Sequence, residues 1–159
     1  MPDRSPLQLY VHHVSDADRP AVLAAIAAYG LDLEFTEPQC AEGEIALSYQ
    51  YVYFESAPDS GKELAAYLLA NAPGAEFEIW QDPATTESDG LYVGHVPGIG
   101  TYEAACDGKG RPYVPVTELA ASLINQPAGT TVARFLGGEG RKLLGTDVLT
   151  ALARRTRKR

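Results

Sequence analysis

Hydrophobic and polar positions along this chain alternate with two different periods, and the switches between them outline its elements. Leu7–Val14 is rich in Leu, Val and Tyr and predicts a strand. Ser15 or Asp16 can cap a helix that has Pro20 near its first turn and Val22, Ile26 and Tyr29 on one face, and Gly30 supplies a left-handed stop. Leu31–Thr36 alternates apolar and acidic residues, as a half-buried strand does. A loop through Pro38 and Gly43 leads to a long strand, Ile45–Phe54. Asp59 or Ser60 opens a second helix with Leu64, Leu68 and Ala72 in line, and Pro73-Gly74 ends it. Ala75–Gln81 alternates again, with Phe77 and Ile79 on one side. The order is β-α-β-β-α-β.

That order predicts an α+β protein with a ferredoxin-like βαββαβ core over residues 1–82, its first and third strands parallel neighbours and both helices on one face. Beyond the polar linker Asp82–Gly90 the pattern changes to short strands, Leu91–Val96, Thr101–Cys106 and Pro112–Val114, joined by glycine-rich turns. Thr117 is placed to cap a helix running to about Asn125. This small β-meander and helix, residues 83–145, are expected to pack on the first half. Helical stretches follow at Val132–Leu136 and Asp147–Ala153, separated by Gly137-Gly138-Glu139-Gly140, which reads as a hinge. Residues 146–159 make the C-terminal helix and tail.

Charge divides the chain differently. Residues 1–130 hold five Lys/Arg against nineteen Asp/Glu, a net of −14, whereas residues 131–159 hold eight against two, a net of +6; together they give the −8 of the whole. The acidic body repels phosphates and the tail attracts them. Cys40 and Cys106 lie far apart without a CxxC pairing, which suits free thiols in a reducing compartment. The N-terminus has no apolar run of the signal-peptide kind, and no run of apolar residues is long enough to span a bilayer. A cytoplasmic protein with no membrane contact is the expectation.

The tyrosines of two strands raise the first functional possibility. If the helices cover Leu9, Val11, Val52 and Phe54, the opposite face carries Tyr10, Tyr49, Tyr51 and Tyr53 side by side. Leu9-Tyr10-Val11-His12-His13-Val14 and Leu47-Ser48-Tyr49-Gln50-Tyr51-Val52-Tyr53-Phe54 resemble the two short motifs of the RNA recognition motif family. The resemblance spans about half the chain and implies that Tyr10, Tyr49 and Tyr51 stack on bases of single-stranded RNA. The octet lacks the family's leading basic residue, with Leu47 there, and both its glycines. The alternative is that the second half packs on this face, since tyrosine suits a seam between two layers.

Other chemistry is thin. His12 and His13 face opposite sides of a strand and cannot chelate one ion, so neither a metal nor a cofactor is expected. Ser60-Gly61-Lys62 lacks the glycine and hydroxyl residue of a phosphate-binding loop. No carboxylate pair, Ser/His/Asp order or activated cysteine is evident, so the balance leans away from an enzyme. The tail, Arg154-Arg155-Thr156-Arg157-Lys158-Arg159, carries more cations than helix capping needs. The expected function is a binding or regulatory protein with a tail, through Arg154, Arg155, Arg157, Lys158 and Arg159, that docks an anionic partner, most concretely nucleic acid. An acidic protein-interaction module, including one that mimics DNA, stays open. So do a small enzyme with a dispersed site, a homo-oligomer, and docking of the tail on the chain's own acidic body.

Overall fold

The computed structural model describes residues 4–34, 41, 43–85 and 88–155. Its frame is one seven-stranded antiparallel sheet with the order β2-β3-β1-β4-β5-β6-β7. The strands are β1 (Ser5–His13), β2 (Asp32–Leu33), β3 (Gln50–Ser56), β4 (Glu76–Gln81), β5 (Gly90–Val96), β6 (Gly100–Cys106) and β7 (Pro112–Tyr113). Among the described residues six helices accompany them: α1 (Arg19–Ala28), α2 (Ser60–Asn71), α3 (Val116–Ile124), α4 (Val132–Gly137), α5 (Glu139–Leu143) and α6 (Thr146–Ala153). The class is therefore α+β, as expected, but the sheet is larger than a four-stranded ferredoxin-like one. The meander continues it, because β5 pairs directly with β4. The expected parallel pairing of the first and third strands is corrected, since β1 runs antiparallel to both β3 and β4.

Several boundaries move for local reasons. Ser15 forms a hydrogen-bonded turn with Asp18 instead of opening the helix, and α1 begins at Arg19 with Pro20 in its first turn. Gly30 ends it with φ +62°, as its sequence position predicts. Strand β3 starts late, because Leu47 and Ser48 form a turn ahead of it. Thr117 lies inside α3, whose cap position belongs to Pro115, and Thr131 caps α4 by accepting from the Arg134 amide at 3.2 Å. The glycines at 137–140 join two short helices, with Gly138 between α4 and α5. A Cβ on Gly140 would sit 2.7 Å from the Phe135 ring, so close packing of α5 on α4 requires glycine there.

Each face of the sheet has its own core. On one, α1 and α2 cover Leu7, Leu9, Val11, Phe77, Ile79 and Val93, with Leu64, Ala65 and Leu68 as the main helical contribution. On the other, α6 lays Val148 and Leu152 over Tyr10, Trp80, Tyr92, Val96 and Tyr102. Glycines let α6 approach: a Cβ on Gly94 would meet Leu152 at 2.7 Å, and one on Gly145 would run into the Tyr102 ring. Gly145 also holds φ +59°, which side-chain-bearing residues rarely adopt. No helix among the described residues is long and apolar enough to cross a membrane.

Gly145→Ala is expected to destabilise the fold by about 1–3 kcal/mol through strain and overpacking against Tyr102. Urea unfolding measures this as a lower midpoint at an unchanged slope.

Candidate functional site

The side chains of β1 and β3 sort onto faces through their register. Leu9 pairs with Tyr51, Leu7 with Tyr53 and Gln8 with Val52, so the odd-numbered tyrosines of β3 share the helix-covered face with Leu9. Tyr51 is 5% exposed and its hydroxyl accepts from the Ala46 amide at 2.8 Å. Tyr49 is half-buried against the same core. Tyr10 lies on the other face, 1% exposed, stacked on the Trp80 ring. The expected row of Tyr10, Tyr49 and Tyr51 is thus corrected: they occupy opposite faces, each under its own helical layer. The physical reason is the register, because matching Leu9 with Tyr51 instead of Val52 inverts every side chain of β3.

What Tyr10 shares its face with is polar. Two hydrogen-bonded chains cross the sheet there. In one, Tyr10 donates to Gln50 at 2.8 Å, Gln50 to Gln8 at 3.0 Å, and Gln8 to Asp82 at 2.9 Å. Burial raises the Asp82 pKa, and the Gln8 bond opposes the rise. In the other, Ser48 Oγ meets His12 Nδ1 at 3.1 Å, His12 Nε2 meets Glu78 Oε1 at 2.9 Å, and the Tyr92 hydroxyl donates to Glu78 Oε2 at 2.9 Å. The His12 and Glu78 side chains are 0% and 2% exposed. An ionised carboxylate only accepts, so Nε2 carries a proton toward Glu78, and Nδ1 lies within hydrogen-bond reach of the Ser48 hydroxyl. A buried pair like this is stable only when its remaining polar atoms are met, which Ser48 and Tyr92 do.

Strand β4 also holds the root of the tail. Arg155 Nε and a terminal nitrogen reach the two oxygens of Glu76 at 2.7 and 2.8 Å, a fork onto a carboxylate that is itself 6% exposed. The contact pins the end of α6 to the acidic body, so for this residue the partner lies within the molecule. Arg154 is exposed, and Arg157, Lys158 and Arg159 lie outside the described residues. A cleft of about 590 Å³ opens beside the fork, lined by Glu78, Tyr92, Pro112, Leu149, Leu152, Ala153 and Arg155.

Other candidates disperse. His95 bonds Thr101 and the Pro73 carbonyl, and no group of three metal-ligating side chains occurs among the described residues. Cys106 is fully buried, and burial with the nearby carboxylates of Asp82, Asp107 and Asp89 pushes its thiol up to about 12; Cys40 lies outside the described residues. Sequence reasoning missed Ser48, Glu76, Glu78 and Tyr92. Glu76 and Glu78 alternate with Phe77 and Ile79 and so look like a solvent face, until α6 covers it.

A second region stands apart from these chains. Helix α3 buries none of its residues. Val116 and Ile124 are 80% and 81% exposed, Leu123 is exposed beside them, and Val132 and Leu136 of α4 are exposed as well. The spacing 116, 119, 120, 123, 124 is the single stripe of an amphipathic helix. Cations edge it. Arg141 and Lys142 are exposed and paired with Asp147 and Glu139, while Arg134 borders a cleft of about 390 Å³ and joins no ion pair among the described residues. Comparison with protein-family models, with curated proteins and with solved structures finds no match.

The Cys106 thiol generates a pH dependence. Its unfolded pKa is near the ordinary 9.0 and its folded value about 12, so the unfolded state loses the proton first and stability falls as pH rises between the two. Replacing Cys106 by alanine should flatten the decline in urea midpoint above pH 9. Mass mapping should show Cys106 unreactive to iodoacetamide at neutral pH until the chain unfolds.

Proposed function

We propose that this protein is a binding protein whose C-terminal helical segment docks an acidic protein partner. The observation that carries this is α3, an amphipathic helix that buries none of its side chains. Burying a Val, Leu or Ile side chain is worth about 1.5–3 kcal/mol, so a folded chain that leaves Val116, Leu123, Ile124, Val132 and Leu136 open has a surface suited to a partner. The partner's charge follows from the rim. Arg134 is available for a carboxylate, and the sequence of residues 131–159, whose last four lie outside the described residues, carries a net +6. An acidic amphipathic helix fits both features, apolar side toward α3 and carboxylates toward the rim.

Nucleic acid is the second reading, and the basic tail sequence favours it. An apolar helix face adds nothing to phosphate binding, however, and Arg141, Lys142 and Arg155 already pair with acids of this chain. A ferredoxin-like first half remains part of the proposal: the neighbours β2-β3-β1-β4 and the helices between them support it, and the extension through β5, β6 and β7 departs from it.

The test measures polarisation of a labelled helical peptide carrying Leu and Glu at helical spacing, against the full chain. Expected is binding that Ile124→Glu weakens at least about tenfold (~1.4 kcal/mol), with Val116→Glu acting alike. Equal binding of an all-Glu peptide, or of single-stranded DNA with a steep salt slope, would show that charge alone acts and contradict the proposal. So would a wild-type dimer that Ile124→Glu dissociates, because the face then belongs to a second copy.

A further inference from the structure

Ser48 occupies a conformation that its sequence does not explain. It lies in the turn entering β3 with φ +65°, a left-handed backbone that costs a residue with a Cβ about 1–3 kcal/mol. The turn is held from both sides: the Ser48 amide donates to the Val11 carbonyl at 2.7 Å, and its Oγ lies 3.1 Å from His12 Nδ1. Behind the imidazole, Glu78 takes the other ring nitrogen and is itself oriented by Tyr92. Serine, imidazole and carboxylate thus stand in the relation of nucleophile, general base and orienting acid, an arrangement recognised by geometry and not by chain order.

We propose that Ser48 is an activated nucleophile of a serine-hydrolase type, acting on short-chain carboxylic esters. His12 is its general base and Glu78 the residue that positions and stabilises the imidazolium. Ser48 is half-buried and so reachable, while His12 and Glu78 are shielded from water, which strengthens the charge interaction between them. A cleft of about 170 Å³, lined by Val14, Arg19, Glu44, Ile45 and Leu47, adjoins the turn through Leu47, the residue before Ser48. In the first step Oγ bonds to the ester carbonyl carbon while its proton passes to Nδ1. Collapse breaks the ester C–O bond, and the leaving oxygen takes that proton to depart as the alcohol. Water then attacks the acyl-serine, His12 again accepts and returns one proton, and the acid leaves with Ser48 restored.

A fluorophosphonate probe tests this on the full folded chain, read by intact mass and peptide mapping; the Oγ–P bond forms as P–F breaks. Expected is one adduct per chain, at Ser48, with a p-nitrophenyl butyrate burst of matching size. Ser48→Gly tolerates the left-handed backbone and takes no adduct, its folding checked by urea unfolding. His12→Gln slows labelling at least about 100-fold. Tyr92→Phe, the milder change, leaves the adduct at Ser48 and slows it several-fold, a readout that survives should the His12 variant fail to fold. The proposal is overturned if the folded wild-type chain takes no adduct at Ser48, if urea-unfolded chain labels as fast, or if neither His12→Gln nor Tyr92→Phe changes the rate.

Discussion

The pairing of Leu9 with Tyr51 governs the rest of this structure. Side chains alternate strictly along a strand, so one register decides the contents of both faces. With Leu9 facing Tyr51, Tyr51 joins the core beneath α1 and α2 and gains a backbone partner at Ala46, while Tyr53 stays exposed. The opposite face then receives Gln8, Tyr10, His12 and Gln50, to which β4 adds Glu76 and Glu78. A face so polar cannot be sealed by apolar contact alone. It closes because each group finds a hydrogen-bond partner and because β5, β6 and α6 extend the apolar cover beside it.

The charge division along the chain finds its structural counterpart in the Arg155–Glu76 fork. Glu76 is a buried carboxylate near the end of a strand and needs a cation; the first arginines after α6 are the ones within reach. The tail is therefore rooted in the acidic body, and α6 is held at both ends, by this fork and by the close approach of Gly145 to Tyr102. Such anchoring leaves α3 and α4 as the part of the helical layer that the sheet does not use. The open apolar stripe on α3 is a consequence of that division of labour: the sheet's second face is filled by α6, which leaves α3 without cover from the sheet.

Much of the fold was legible in the chain. Period-two and helical spacing located β1, α1, α2, β4, β5, β6 and α6 to within a few residues, and Gly30 marked the end of α1. Register was not legible, because Val52 and Tyr51 are both credible core residues, and only the reach of the Tyr51 hydroxyl to Ala46 separates them. The same ambiguity made the tyrosines look like a binding platform. The polar chains were invisible for a related reason: Glu76, Glu78 and Gln8 obey the alternation of a solvent-facing side, and nothing local announces that α6 will cover it. Ser48 gave no sign either, since serine in a turn is ordinary and its φ of +65° belongs to the three-dimensional setting. The apolar stripe of α3 was present as Leu119, Leu123 and Ile124, but its exposure depends on what the sheet leaves unused.

Tyr10, Tyr51 and Tyr92 are closed within the two faces of the sheet, and the most exposed apolar side chains, Val116 and Ile124, lie on α3. Hydroxyl-radical footprinting of the intact chain reads these two statements together. It should find Tyr10, Tyr51 and Tyr92 protected, with Val116, Ile124 and Leu136 oxidised heavily. Joint oxidation of Tyr10 and Tyr51, with α3 protected in the isolated chain, would contradict the account.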